Sequence, residues 1–140
     1  MKEGFTLIEL LLVVSIIGIL ATFTAVLVTN ARADSRDSVR IANLTQIMTA
    51  IELFKSIEGA YPIAGACGEN GVLANAGKLC GSYVFQSASK KYISRLPQDP
   101  QGGDFAATIN SSSYSLSANL ENGNKYICSN TACNEGGENE

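Results

Sequence analysis

Two kinds of side chain in this 140-residue sequence carry chemical consequences: one acid and four cysteines. Glu9 lies inside an otherwise apolar run from Phe5 to Val28. A carboxylate costs about 2.5–3.5 kcal/mol at the centre of a bilayer on insertion scales, and less near the interface. Glu9 stands near one end of the run, so its cost is partial and calls for a compensating group. Cys67, Cys80, Cys128 and Cys133 all follow the run. The chain has no histidine, and its cysteine pairs are separated by twelve and four residues in a domain read as exported, a poor match to zinc ligand sets. An even cysteine count behind an apolar segment points to disulfides. Three connectivities are possible. Cys67–Cys80 and Cys128–Cys133 are favoured because each closes a local loop; the alternative ties the Cys67 loop to the C-terminal hairpin. Without histidine no Ser/His/Asp or Cys/His set exists, and no carboxylate pair shares a face with an apolar pocket. The sequence therefore offers no catalytic residue, and neither a metal nor a cofactor is expected.

These groups must be held by a long helix. A bilayer-spanning helix needs about 20 apolar residues, and residues 5–28 satisfy that length. The run is too long for a secretory signal, contains an acid and lacks a prompt small-residue cleavage site, so it reads as a retained membrane helix. Lys2 and Glu3 nearly cancel, whereas Arg32, Arg36 and Arg40 follow the run; the cysteines, rather than these charges, place the C-terminal part outside. No Pro or Gly interrupts residues 21–58. Ile41, Leu44, Met48, Ile51, Phe54 and Ile57 recur at steps of three and four, the stripe of an amphipathic helix, with Arg40 assigned to another face. Gly59 and Pro62 end it. One helix over residues 5–58 would be about 80 Å long. The predicted fold class is α+β: a helical spine over about residues 5–58, apolar all round at 5–28 and one-sided at 29–58, packed against a small antiparallel sheet head at 59–140. Within the head, residues 65–81 read as a Gly/Ala/Asn-rich loop, Ser82–Phe85 as a short strand, Ser87–Leu96 as a short helix and Gln98–Asp104 as turns. Tyr114–Leu120 and Lys125–Cys128 read as strands joined at Asn122-Gly123. The apolar face Tyr114, Leu116, Ala118 and Leu120 should cover the helix stripe. The tail from Asn134 reads as mobile. The net charge of −3 gives no reason to expect a specific nucleic-acid partner.

Gly4-Phe5-Thr6-Leu7-Ile8-Glu9-Leu10, with its short charged leader and apolar helix, closely resembles the processing motif of type IV pilins and type II secretion pseudopilins. The resemblance is close over roughly the first 62 residues and one of layout beyond. It implies that residues 1–4 are a leader removed by a prepilin peptidase between Gly4 and Phe5, and that Phe5 is then N-methylated. It also implies that Glu9 pairs with the Phe5 amine of a neighbouring subunit in a homo-oligomeric helical filament. The implied partners are that peptidase, an inner-membrane assembly platform and the membrane. The implied location is the inner membrane before assembly and the cell surface after it. A type IV pilin is the first reading and a pseudopilin of a secretion or DNA-uptake machine the second. A monomeric membrane-anchored adhesin, from another class, leaves Glu9 unexplained. The family's frequent helix-breaking proline is missing; Val26 stands in the apolar segment, and Gly18, costing about 1 kcal/mol in a helix interior, is its weak point. The major secretion pseudopilin holds calcium near the equivalent of Asp99 and Asp104, but the aspartates here lack a ligand pattern and Gln101-Gly102 replaces the family's tryptophan-glycine element. Gly102-Gly103-Asp104-Phe105 resembles a cyclic-dinucleotide synthase signature without its necessary domain, and is read as a turn.

Overall fold

A computed structural model describes residues 4–69 and 71–136, apart from the side chain of residue 25. Residues 1–3 of the expected leader 1–4, and the last four residues, lie outside the described part. One helix, α1 (Leu7–Glu58), runs without interruption through Gly18. Its first half is apolar on every side: the large side chains from Phe5 to Val28 are each between 44 and 83 % exposed. By length and composition it can cross a membrane. The chain forms two compact units, one ending at Ser35 and one beginning at Arg36.

In the second unit α1 buries Leu44, Ile47, Ala50, Ile51 and Phe54. This stripe differs from the expected one. Ile57 is 46 % exposed, Ile47 is fully buried, and Arg40 is only 3 % exposed. Positions 40, 44, 47, 51 and 54 step by four and three, so Arg40 belongs to the same face. The helix ends at Glu58 because Gly59 takes φ +79°, a left-handed cap that lets its N–H bond the Lys55 carbonyl at 2.9 Å.

Among the described residues nine strands follow: β1 (Ile63–Ala64), β2 (Val72–Asn75), β3 (Lys78–Leu79), β4 (Phe85–Gln86), β5 (Lys91–Ile93), β6 (Ala106–Ile109), β7 (Tyr114–Asn119), β8 (Lys125–Ser129) and β9 (Cys133–Gly136). A seven-stranded sheet has the order β1-β2-β3-β6-β7-β8-β9, antiparallel except for β1 against β2. β4 and β5 form a separate pair. The expected hairpin is present, with Asn119 opposite Lys125 around Asn122-Gly123. Tyr114, Leu116, Ala118 and Leu120 are all buried.

Four expectations for the head change. The segment 65–81 is not simply a loop: Val72, Leu73 and Ala74 are buried in β2, which turns to β3 through Ala76 and Gly77, both at positive φ. The short strand expected at Ser82–Phe85 starts only at Phe85. Ser87–Leu96 is not a helix. Ser87 closes a turn with Lys90 through backbone and side-chain bonds, which compete with helix formation, and Tyr92 and Ile93 continue into β5. The rings of Phe54, Phe85 and Tyr92 meet at 5.2–5.4 Å and dock this pair on the helix. The chain stays ordered past Asn134, because β9 pairs with β8 as far as Gly136.

Candidate functional site

At the start of α1, Thr6 and Glu9 form a reciprocal pair. The Glu9 N–H donates to Thr6 Oγ1 at 3.3 Å, while Thr6 N–H and Oγ1 donate to Glu9 Oε2 at 3.4 and 3.2 Å. Thr6 is thus the N-cap, three residues before an acid that reaches back: a capping box. The Glu9 carboxylate also lies at the positive end of the helix dipole. The compensation that Glu9 requires is therefore partly met within its own chain. Thr6-x-x-Glu9 ahead of an apolar run carries the sequence signature of such a cap. Gly4 and Phe5 precede the cap, exposed and outside the helix, with open space around Gly4. That leaves the Gly4–Phe5 bond outside the helix on exposed backbone.

A second cluster lies where the second unit begins. Arg40 grips Asp99 with two bonds of 2.6 and 3.0 Å. Its third nitrogen donates to Asp37 at 2.7 Å and to Glu121 at 2.8 Å. Arg36 holds both oxygens of Glu121 at 2.9 and 3.0 Å. Backbone N–H groups complete the set: Gln101 donates to Asp99 and Glu121 to Asp37. Two helix arginines therefore tie down the 99–104 turn and the β7–β8 hairpin. The Arg36 and Arg40 bonds hold the Glu121 carboxyl down at about 2. Asp99 is lowered by Arg40, and Arg40 is raised in return by Asp99. The helical stripe through Leu44 and Ile47 carried the signal for Arg40; the partners Asp99 and Glu121 are too distant in sequence to have been read.

Asp99 and Asp104 do not suit a calcium ion. Both Asp99 oxygens are engaged by Arg40, and Asp104 accepts from Gln98 Nε2 at 3.0 Å while lying against Gly81. Among the described residues no group of three or more Cys, His, Asp or Glu is placed to hold a metal. Gly102 and Gly103, both at positive φ, form a turn.

All four cysteines are paired, Cys67 with Cys80 and Cys128 with Cys133. The second bond joins directly opposed residues of β8 and β9 across the Ser129–Ala132 turn. The first ties the segment after β1 to the end of β3.

A family model described as the prokaryotic N-terminal methylation motif matches residues 1–25. Over 106 residues the chain is 32 % identical to type II secretion system core protein G of Vibrio cholerae, covering 74 % of this chain and 68 % of that one. Core protein G of Klebsiella michiganensis is 33 % identical over 109 residues, with 74 and 71 % covered. That of Escherichia coli is 28 % identical over 105 residues, with 74 and 70 % covered. No solved structure matches.

Proposed function

Because this chain belongs to the family of type IV pilins and type II secretion pseudopilins, we propose that its N-terminal site is an assembly device and that its role is structural rather than catalytic. The chain is a pilin-like filament subunit. Cleavage between Gly4 and Phe5 creates an ammonium at Phe5, one residue ahead of the Thr6 cap. A cation there faces the positive end of its own helix dipole and is disfavoured. The Glu9 carboxylate of a neighbouring subunit offsets it, and in a dry filament core each charge then has its partner. Phe5 is the residue methylated, and the apolar surface of residues 5–28 passes from lipid to neighbouring helices. The observation that carries this reading is the Thr6–Glu9 box. It keeps the acid compensated while the subunit waits in the membrane, yet at hydrogen-bond lengths of 3.2–3.4 Å that a charged partner can better.

The partners are further copies of the chain, a prepilin peptidase and an inner-membrane platform. The relatives named above favour a second reading: a pseudopilus of a secretion machine rather than a surface pilus. Mass spectrometry of the mature chain should find methyl-Phe5 at the N-terminus; an intact Met1 would overturn the processing step. In cells, Glu9→Gln should abolish filaments recovered by shearing or by membrane extraction while leaving the monomer in the membrane. Normal filament yield from that variant would refute the Glu9–Phe5 pairing. A filament found in the sheared fraction identifies a surface pilus, and one retained in the envelope a pseudopilus.

A further inference from the structure

The resemblance to secretion pseudopilins implies a calcium ion at the turn that carries Asp99 and Asp104. Calcium takes about 6–8 oxygen ligands at roughly 2.3–2.6 Å, and the oxygens of Asp99 already have donors. Its Oδ2 accepts from Arg40 Nε at 2.6 Å. Its Oδ1 accepts from Arg40 Nη2 at 3.0 Å and from the Gln101 N–H at 2.8 Å. Its carbonyl accepts from the Gly102 N–H at 2.9 Å, and its own N–H donates to the Gly103 carbonyl at 3.1 Å. The Gln101 side chain donates to Glu121 Oε1 at 2.8 Å. The far end of the turn is tied separately. Asp104 accepts from Gln98 Nε2 at 3.0 Å, Gln98 Oε1 from Ser82 Oγ at 2.8 Å, and Ser82 Oγ from Arg95 Nη2 at 3.2 Å. A Cβ on Gly81 would overlap Asp104 Oδ1, so the glycine lets this carboxylate seat. Gly81 directly follows Cys80, which the bond to Cys67 fixes.

We propose that the Arg40 guanidinium does for this turn what a bound calcium ion would do, so that the head folds and stays closed without calcium. A guanidinium is a cation that keeps its proton at any working pH, and here it is tethered to α1. It meets Asp37 on its own helix, Asp99 on the turn and Glu121 on the β7–β8 hairpin at 2.6–2.8 Å. Three segments are thereby drawn onto one positive charge, as they are by a multidentate ion. An incoming calcium ion would have to take Asp99 from Arg40 and set a second positive charge beside a side chain only 3 % exposed. The tethered cation is present in every copy of the chain, whatever the calcium concentration outside. The inference rests on the geometry at Asp99 and holds equally for a pilus and a pseudopilus.

Thermal unfolding of the full chain in an uncharged detergent tests the proposal. Melts are compared in about 10 mM calcium chloride, in magnesium chloride at the same concentration, and in EGTA at matched ionic strength. An extracellular calcium site with a Kd of about 10⁻⁴ M would be saturated about a hundredfold, and its ion would raise the melting temperature by roughly 10–20 °C. The three melts of this chain should instead agree within about 2 °C. A calcium-specific rise beyond that overturns the proposal. Hydrogen exchange then tests the part assigned to Arg40. In the unsubstituted chain the Gln101 and Gly102 amides should exchange at the same rate in calcium and in EGTA. In Arg40→Lys, which keeps the charge and loses the two-pronged grip on Asp99, they should exchange at least about tenfold faster in both. Exchange at the parental rate in Arg40→Lys, or faster exchange on adding EGTA to the parent, overturns the substitution of Arg40 for an ion.

Discussion

Replacing Arg40 by Met tests the ion-pair cluster most directly. Met keeps most of the side-chain volume but removes every donor. Asp99 then loses two bonds and Asp37 and Glu121 one each. Asp99 retains the Gln101 N–H, Asp37 the Glu121 N–H, and Glu121 the Arg36 guanidinium and Gln101 Nε2. Removing one partner of a buried ion pair costs about 3–5 kcal/mol. The acids here are 18, 19 and 23 % exposed and regain some water, which places the loss near the lower end, about 3 kcal/mol. A domain of this size shifts by about 4–8 °C per kcal/mol, so the melting temperature should fall by roughly 12–24 °C. The assay is thermal unfolding of the full chain in detergent, followed by circular dichroism with disulfides intact. Because Arg40 is only 3 % exposed, salt should barely change the difference between variant and parent. Adding Asp99→Asn to Arg40→Met should recover about 1 kcal/mol, by removing one stranded charge. A loss under about 1 kcal/mol, or a difference that vanishes in high salt, would show the cluster to be an ordinary surface network.

Acid should act on the same cluster. Glu121 titrates in the fold at about 2 rather than at its ordinary 4.5. Below 4.5 the unfolded chain binds the proton first, so this stabilisation is complete above that pH and is lost as pH falls towards 2. A pH series of melts should show it, and Glu121→Gln should flatten the slope. Gly59→Ala should cost about 1–2 kcal/mol, because φ +79° opposes a Cβ; urea titration measures it through the midpoint. Removing Cys128–Cys133 with paired serines should cost about 2 kcal/mol and removing Cys67–Cys80 about 3 kcal/mol, following loop length on the chain-entropy model; the same titration ranks them.

The helix and the β7–β8 hairpin were legible because each is local. An unbroken apolar run, a four-three stripe, Asn122-Gly123 and alternation from Tyr114 to Leu120 each depend on neighbours in sequence. β6 and β9 were missed because they depend on pairing: Ala106-Ala107-Thr108-Ile109 is held by β7, and Cys133–Gly136 by β8 and a disulfide. The Ser87–Leu96 error has the same origin, since Tyr92 becomes strand only through Phe85 and Phe54. At the N-terminus Gly4, Phe5 and Glu9 stood out by type, whereas Thr6 looked like an incidental hydroxyl until its geometry with Glu9 was visible. A charged residue at a stripe position ordinarily turns to water, yet Asp37 one helical turn away and Asp99 and Glu121 from distant segments make Arg40 a core residue.

The order of the disulfides has a bearing on how the chain matures. Each bond joins consecutive cysteines, first to second and third to fourth. A head threaded across the membrane behind its retained helix would meet Cys80 as the earliest partner for Cys67, and Cys133 as the remaining partner for Cys128. Oxidation in order of arrival thus yields the native pattern, and a dithiol oxidase suffices without an isomerase to correct mispairing. A filament subunit that matures by this route would be spared slow disulfide reshuffling.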